Sequence, residues 1–358
     1  MKICSDARMI NSSGIGRFIR SLFRGLNERS YEIDALGQAK ALGAFRLSLH
    51  TPEIFNIVDW EAPIYSLREQ FDFKKFTPYI DSHLIHAPVV NYPTFAAAPD
   101  LVTVYDFIPL EFPEHYNRLK LAMYRINCSR VFRRVKLIHC ISSFTRERLC
   151  HFFPEVREKA RVVQLGMEPA FLNRVSQPAQ TPDGFFLYVG NLKPHKNLKT
   201  LLSAFSKLIQ ETKVRLVIVG KDYSDGQLQR IIDALNLGDY VQLTGEVPDT
   251  QLQLLYEKCI ALVVPSFVEG FGYPPLEAMC SRAPVICSKA GSLPEVCGDA
   301  AAYFDPHSPQ ELTSLLKQMV HDPLFRKNLQ ENGARRVLQF PVANTVSGIA
   351  QLYEELRP

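Results

Sequence analysis

Residues 263–279 read VVPSFVEGFGYPPLEAM. An apolar run ends at Pro265, a loop carrying Gly270 and Gly272 follows, and Pro274 and Pro275 suit the first turn of a helix. A helix starting there offers unpaired N–H groups and the positive end of its dipole, and the two glycines allow a diphosphate to approach the backbone. Glu269 falls in the loop and Glu277 in the first turns of the helix, so both can face one cleft. The dipole alone favours an acid near a helix N-terminus, which accounts for Glu277 better than for Glu269. A glutamate beside a phosphate site is repelled unless it bonds to hydroxyl groups. Sugars and riboses supply hydroxyls, so the combination points to a nucleotide sugar.

The same strand-to-loop arrangement recurs at FFLYVGNLKPHKN, which sets Gly190, Asn191, Lys193, His195 and Lys196 directly after an apolar run. Ligands of open parallel sheets bind at the carboxyl ends of the strands, and Lys196 is the best single cation there for a phosphate, against the alternative of a solvated loop lysine. His195 reads as a helix-start or surface histidine and has no part in the mechanism. Near the N-terminus, SSGIGRFIRSLFRGL joins Gly14 and Gly16 to a helix whose apolar residues Ile15, Phe18, Ile19, Leu22, Phe23 and Leu26 recur at helical spacing. Two readings fit these glycines, a phosphate-approaching turn and a plain tight turn.

Working outward, short apolar runs at 101–105, 137–141, 185–189, 215–219 and 261–265 are each followed by helical periodicity. This predicts an α/β fold with parallel sheets covered by helices. A chain of 358 residues is long for one core and suits two domains. The proline-bearing stretch SQPAQTPDG at 176–184 reads as a linker and a candidate hinge. The expected division is 1–175, 176–340 and a final helix at 341–358 that packs back on the first domain.

No apolar run reaches the length of a membrane span, and Asp6 and Arg8 interrupt any leader-like core, so a cytoplasmic location is expected. The eight cysteines lack metal-ligand spacing and read as reduced thiols. Residues 1–173 carry 23 Lys and Arg against 18 Asp and Glu, so the first half is the basic one. Its stretch RLKLAMYRINCSRVFRRVK at 118–136 is either a solvated helix face or a surface for anionic lipid headgroups or a lipid-diphosphate acceptor. No nucleic-acid partner is expected.

These motifs resemble the family-4 retaining glycosyltransferases of the GT-B fold, two Rossmann-like domains facing across a cleft. The resemblance runs through VGNLKPHKN, RLVIVGKDY, VQLTGEVPDTQLQLLYEKC and the long stretch from Pro265 to Pro306, with the E-x7-E element at Glu269 and Glu277. It implies that Lys196 neutralises the diphosphate, that Glu269 meets sugar hydroxyls and Glu277 the ribose, and that Gly270, Phe271 and Gly272 approach sugar and phosphate. Val247 would meet the base. Gly14 and Gly16 would close over the donor, and Tyr105 and Asp106 in TVYDFIPLEFPE would lie on the acceptor side.

Two departures stand out. Tyr105 precedes Asp106 where the family often has histidine, and Asn191 follows Gly190 where arginine is common, which leaves Lys196 and Lys193 to carry more phosphate charge. The sequence contains no DxD pair, so a metal-independent transfer with retention and no cofactor is expected. The motifs are most similar to mannosyltransferases of polysaccharide and lipopolysaccharide assembly. GDP-mannose is therefore the first expected donor, with UDP-sugars next and a saccharide or lipid-linked saccharide as acceptor. A nucleotide-sugar epimerase of the same fold and a non-catalytic binding protein are the alternatives.

Overall fold

The computed structural model describes residues 1–12, 14–64, 66, 68, 69, 83–93, 98–176, 184–222 and 226–357. Contacts divide the chain into two units, Met1–Gly166 together with Val342–Pro358, and Met167–Pro341. The border falls at Gly166 rather than at 175. The Met167 N–H donates to Phe340 O at 2.7 Å and Met167 bridges to Pro341, which ties the chain from residue 167 onward to the second unit. Of the linker read at 176–184, residues 177–183 lie outside the described residues.

The first unit is a parallel sheet of β1 (Lys2–Asp6), β2 (Glu32–Gly37), β3 (Phe55–Asp59), β4 (Leu84–Ala87), β5 (Leu101–Val104), β6 (Leu137–Cys140) and β7 (Ala160–Val162). Its spatial order is β3-β2-β1-β4-β5-β6-β7. Strands such as LVTV and LIHC are buried along their whole length, as expected where helices cover both faces. The covering helices include α1 (Gly14–Glu28), α2 (Ala39–Arg46), the single turn α3 (Ile108–Glu111), α4 (Arg118–Arg134) and α5 (Ser143–Phe152). Phe107, Phe132 and Phe153 pack with Val104 and Ile138 in the core beneath α4.

The second unit repeats the plan with β8 (Phe185–Val189), β9 (Arg215–Val219), β10 (Val241–Gly245), β11 (Ala261–Val264), β12 (Val285–Ser288) and β13 (Ala302–Phe304), all parallel. The order is β10-β9-β8-β11-β12-β13. Its helices are α6 (Pro169–Leu172), α7 (Leu198–Leu208), α8 (Gln227–Ala234), α9 (Asp249–Lys258), α10 (Tyr273–Cys280), α11 (Leu293–Cys297), α12 (Pro309–His321) and α13 (Pro323–Val337). Leu201, Phe205 and Leu316 close over Phe186, Ile218 and Val263 of the sheet.

The last helix, α14 (Val342–Glu355), belongs to the first unit. Val346 nests on Gly25 of α1, Thr345 Oγ1 donates to Gln164 O at 2.9 Å, and Arg161 pairs with Glu355 at 2.5 Å. The Tyr353 hydroxyl lies 2.8 Å from His86 Nδ1 inside the sheet's cover.

In both units, chain order reverses between two neighbouring strands, β1 and β4 in the first and β8 and β11 in the second. The loops leaving such a pair diverge to opposite faces and open a crevice at the carboxyl ends. That crevice is where a ligand is expected, and it organises the candidate site.

Candidate active site at the switch point of the second sheet

The two motif loops leave the two strands of this switch point. From β8, Gly190 and Asn191 lead through Lys193 to a 3-10 turn, Pro194–Lys196, and then to Asn197 in the left-handed conformation. Asn197 Nδ2 donates to Pro265 O at 2.9 Å and to Pro306 O at 2.8 Å, while Phe267 N–H donates to His195 O at 2.8 Å. Backbone and amide groups thereby lock the β8 loop to the β11 loop. His195 stands in the turn that opens α7, in line with the helix-start reading, and is buried rather than surface-exposed.

From β11, Ser266 to Gly272 form the loop that enters α10, with Pro274 and Pro275 in its first turn. Ser292 fixes the loop, its single hydroxyl proton shared between Glu269 O at 2.9 Å and Phe271 O at 2.7 Å. Gly291 sits beneath it at φ 60°, where an added Cβ would lie 2.7 Å from both Glu269 N and O. A side chain at 291 would therefore displace Glu269.

Lys196 Nζ reaches both carboxylate oxygens of Glu269, at 2.7 and 2.8 Å, and Ser266 Oγ donates to Oε1 at 2.6 Å. The pair is largely but not wholly buried, with 16% and 15% of the two side chains exposed. Burial by itself would raise the Glu269 pKa. The Lys196 charge and its hydrogen bond, the Ser266 hydroxyl and His195 outweigh burial and hold the carboxyl below its ordinary value. Glu269 is accordingly ionised at neutral pH.

Glu277 is placed differently. It is buried on α10 and accepts from the Tyr256 hydroxyl of α9 at 2.9 Å. Gly270 is half-buried, Phe271 packs edge-on against Tyr273 and Phe340, and Gly272 supplies the left-handed residue ahead of α10. Val247 follows the end of β10, half-buried. Sequence reading did not single out Ser266, Ser292, Gly291, Tyr256 or Asn197 as part of this constellation. Their partners are 3 to 109 residues away, and only the closest, Ser266 to Glu269, lies within the motif itself.

The remaining residues singled out from sequence lie in the first unit. Gly16 is buried in the first turn of α1, where any Cβ would collide with Ile10 O, so close packing alone demands glycine there. Tyr105 and Asp106 follow β5. Asp106 Oδ1 accepts from Ile108 N–H at 3.2 Å, and the Tyr105 ring meets Phe18 of α1 edge-on at 6.1 Å, so the helix that starts at Gly14 and the β5 segment adjoin.

At the switch point of this first sheet the structure shows a charged cluster that the sequence reading missed. Arg8 Nη2 pairs with Asp6 and with Glu69 at 2.6 Å each, its Nη1 donates to Ala62 O at 2.9 Å, and its guanidinium lies 3.5 Å over the Trp60 ring. Asn91 Nδ2 donates to both Glu69 oxygens, at 2.8 and 2.7 Å. The partners are far apart in sequence, and no local pattern announces them.

All eight cysteines are free, and seven are buried. Among the described residues, no three His, Cys, Asp or Glu side chains are grouped as metal ligands.

Two parallel Rossmann-like sheets, with a cation–carboxylate pair at the mouth of the second, define the GT-B class of protein. The solved structures agree: Anabaena HepE in complex with UDP and glucose superposes with a TM-score of 0.76 at 20% identity, covering 99% of this chain and all of that one. Sucrose-phosphate synthase of Thermosynechococcus elongatus gives 0.75 at 18%, covering 99% of each chain. Residues 171–336, within the second unit, match the family of glycosyl transferases group 1. Among curated proteins the chain is 29% identical to O-antigen chain mannosyltransferase B of Escherichia coli over 72% of this chain and 70% of that protein. It is 30% identical to O-antigen chain mannosyltransferase RfbU of Salmonella typhimurium over 62% and 61%. The match to the E. coli serotype-specific mannosyltransferase WbdA covers 75% of this chain but 34% of that much longer protein.

Proposed function

We propose that this chain is a glycosyltransferase that moves a mannosyl residue from GDP-mannose, or failing that a hexose from a UDP-sugar, to a saccharide or lipid-linked saccharide during assembly of a cell-surface polysaccharide. The observation that carries the reading is the Lys196–Glu269 pair, poised at the second sheet's switch point beside the N-terminus of α10. The mannosyltransferase names of the relatives supply the sugar.

The chemistry follows from the charges. When the glycosyl–phosphate bond breaks, negative charge grows on the β-phosphate. A fixed ammonium, that of Lys196, and the positive end of the α10 dipole beside it would lower the barrier without reorganisation. Lys196 would exchange one anionic partner, Glu269, for another, the diphosphate. Glu269 would then be released from its cation while Ser266 still holds it, ready to accept from sugar hydroxyls and to stabilise positive charge at the anomeric carbon. Glu277, fixed by Tyr256, would receive the ribose hydroxyls. Attack on the face the phosphate leaves lets that phosphate take the acceptor proton, which gives retention, and the cation of Lys196 stands where a metal ion would otherwise be needed.

A panel of nucleotide sugars scored by thermal shift tests the donor, since a ligand of the folded state raises the midpoint. GDP-mannose should give the largest shift, reduced in Lys196→Ala. Transfer to a mannosylated acceptor should continue in EDTA, with an α-anomer in the product. No shift with any GDP- or UDP-sugar would remove the reading. Conversion of the donor to an epimer without acceptor would replace it.

A further inference from the structure

We propose that the solvent face of α4 is a docking surface for a lipid bilayer with anionic headgroups. The inner side of this helix is well anchored: Cys128, Val131 and Phe132 enter the first unit's core, and Arg130 Nη2 donates to Tyr92 O at 2.6 Å. Asn117 caps its start, and Lys159 Nζ donates to the carbonyls of Phe132, Arg133 and Val135 at its end. The outer face is unlike an ordinary solvated one. Leu119, Met123 and Ile126 are 70, 61 and 67% exposed, and their i, i+4, i+7 spacing sets them in one stripe opposite the buried residues.

Along α4 itself, the charges flanking that stripe are all positive. Arg118, Lys120, Arg125, Arg133 and Arg134 are all exposed, and no acidic residue occurs between Glu114 and Glu147. A single exposed leucine is commonplace. Three large apolar side chains in register, framed by cations of the same helix, match a surface with acyl chains below and phosphates above. Lys and Arg stems can lie along apolar lipid while their heads remain among the headgroups. Among the described residues no helix is long and apolar enough to cross a membrane, so the helix would lie in the interface plane. Docking of this face is independent of the sugar-transfer reading, because it is scored without nucleotide or acceptor.

The full chain is floated with vesicles of phosphatidylcholine alone and of phosphatidylcholine mixed with phosphatidylglycerol, at low and high salt. Flotation is expected with the anionic vesicles only and is weakened by salt. The triple substitution Leu119→Ser, Met123→Ser, Ile126→Ser should weaken it more than about tenfold. The triple substitution Arg118→Gln, Lys120→Gln, Arg125→Gln should weaken it about a hundredfold and flatten the salt dependence. Both sets are solvent-facing, and thermal melting superimposable on that of the parent chain verifies their folding. Absence of flotation with anionic vesicles, equal flotation with neutral ones, or undiminished flotation in both folded triples would overturn the proposal. Self-association that the apolar triple abolishes, with no flotation, would assign the face to a second copy and overturn it as well.

Discussion

Each sheet presents charge at its switch point, yet the two clusters are built to opposite ends. At the mouth of the first, Arg8, Asp6 and Glu69 expose 4, 2 and 0% of their side chains. The guanidinium is held by two carboxylates, one carbonyl and an indole face, and Glu69 is held again by Asn91. At the mouth of the second, Lys196 and Glu269 form a simple pair within reach of solvent. Desolvated charge held by several fixed partners cannot change partner without leaving another buried ion uncompensated. A pair at the edge of water can exchange. The same topology therefore supplies a rigid post in one unit and, on the function proposed above, a replaceable counter-ion in the other.

Replacing the posts should have the largest effect on stability. Arg8→Ala leaves two buried carboxylates face to face and should cost about 3–5 kcal/mol, lowering the thermal midpoint by about 10 °C. Melting of that variant with little or no loss would show the cluster to be solvated and would erase the contrast. In the second unit the order reverses. Lys196→Ala should lower kcat/KM for donor transfer by about a hundredfold to a thousandfold, in line with loss of one preorganised charge-stabilising group. Its unfolding free energy should change by only about 1–2 kcal/mol, because Ser266 still serves Glu269. A stability loss as large as that of Arg8→Ala, with transfer retained, would make Lys196 a post as well.

The contrast was unevenly legible in the sequence. FFLYV is apolar throughout and RLVIV is so after Arg215, so strands buried on both faces were visible, and β8 and β9 fall where expected. β1 was not, since KICSD ends in two polar residues that the fold buries, Ser5 and Asp6. β10 is exposed along most of VQLTG because it is an edge strand, and its pattern resembles a loop. The loops bearing Lys196 and Glu269 could be placed because each directly follows a strong strand. Their mutual contact could not, because strand order decides which loops are neighbours. The Arg8–Glu69 pair spans 61 residues and was invisible for the same reason.

The first unit holds a second sealed polar feature that extends the comparison. Tyr353, His86, Thr103 and His139 form a buried chain with spacings of 2.8, 2.9 and 3.0 Å, ending 2.7 Å from Val163 O. A carbonyl only accepts, so His139 must carry its proton on Nε2. Thr103 then donates to His139 Nδ1, His86 Nε2 donates to Thr103, and Tyr353 donates to His86 Nδ1. Both histidines are neutral, burial lowering the pKa of His86 to about 3 and of His139 to about 4. In the unfolded chain each would take up a proton near pH 6.5. Their contribution is therefore complete above that pH and is lost as pH falls from about 6.5 toward about 4. Together they should remove about 2 kcal/mol of unfolding free energy between about pH 6.5 and about pH 5.5, above the range where carboxylates titrate. Denaturant titrations at the two pH values measure this, and equal midpoints would place the histidines in water.

Tyr353→Phe isolates the end of that chain and should have the smallest effect. The ring still packs edge-on to His86, with centroids 5.7 Å apart, so the apolar docking of α14 is kept and only one donor disappears. His86 Nδ1 is left an acceptor without a donor in a dry site, which should cost about 1–2 kcal/mol. The acid slope should change with it, because a His86 free to turn can shift its proton to Nδ1 and the fixed direction of the chain is lost. If the variant unfolds at the parent's denaturant midpoint, the Tyr353 hydroxyl adds nothing to the seating of the last helix on the first unit.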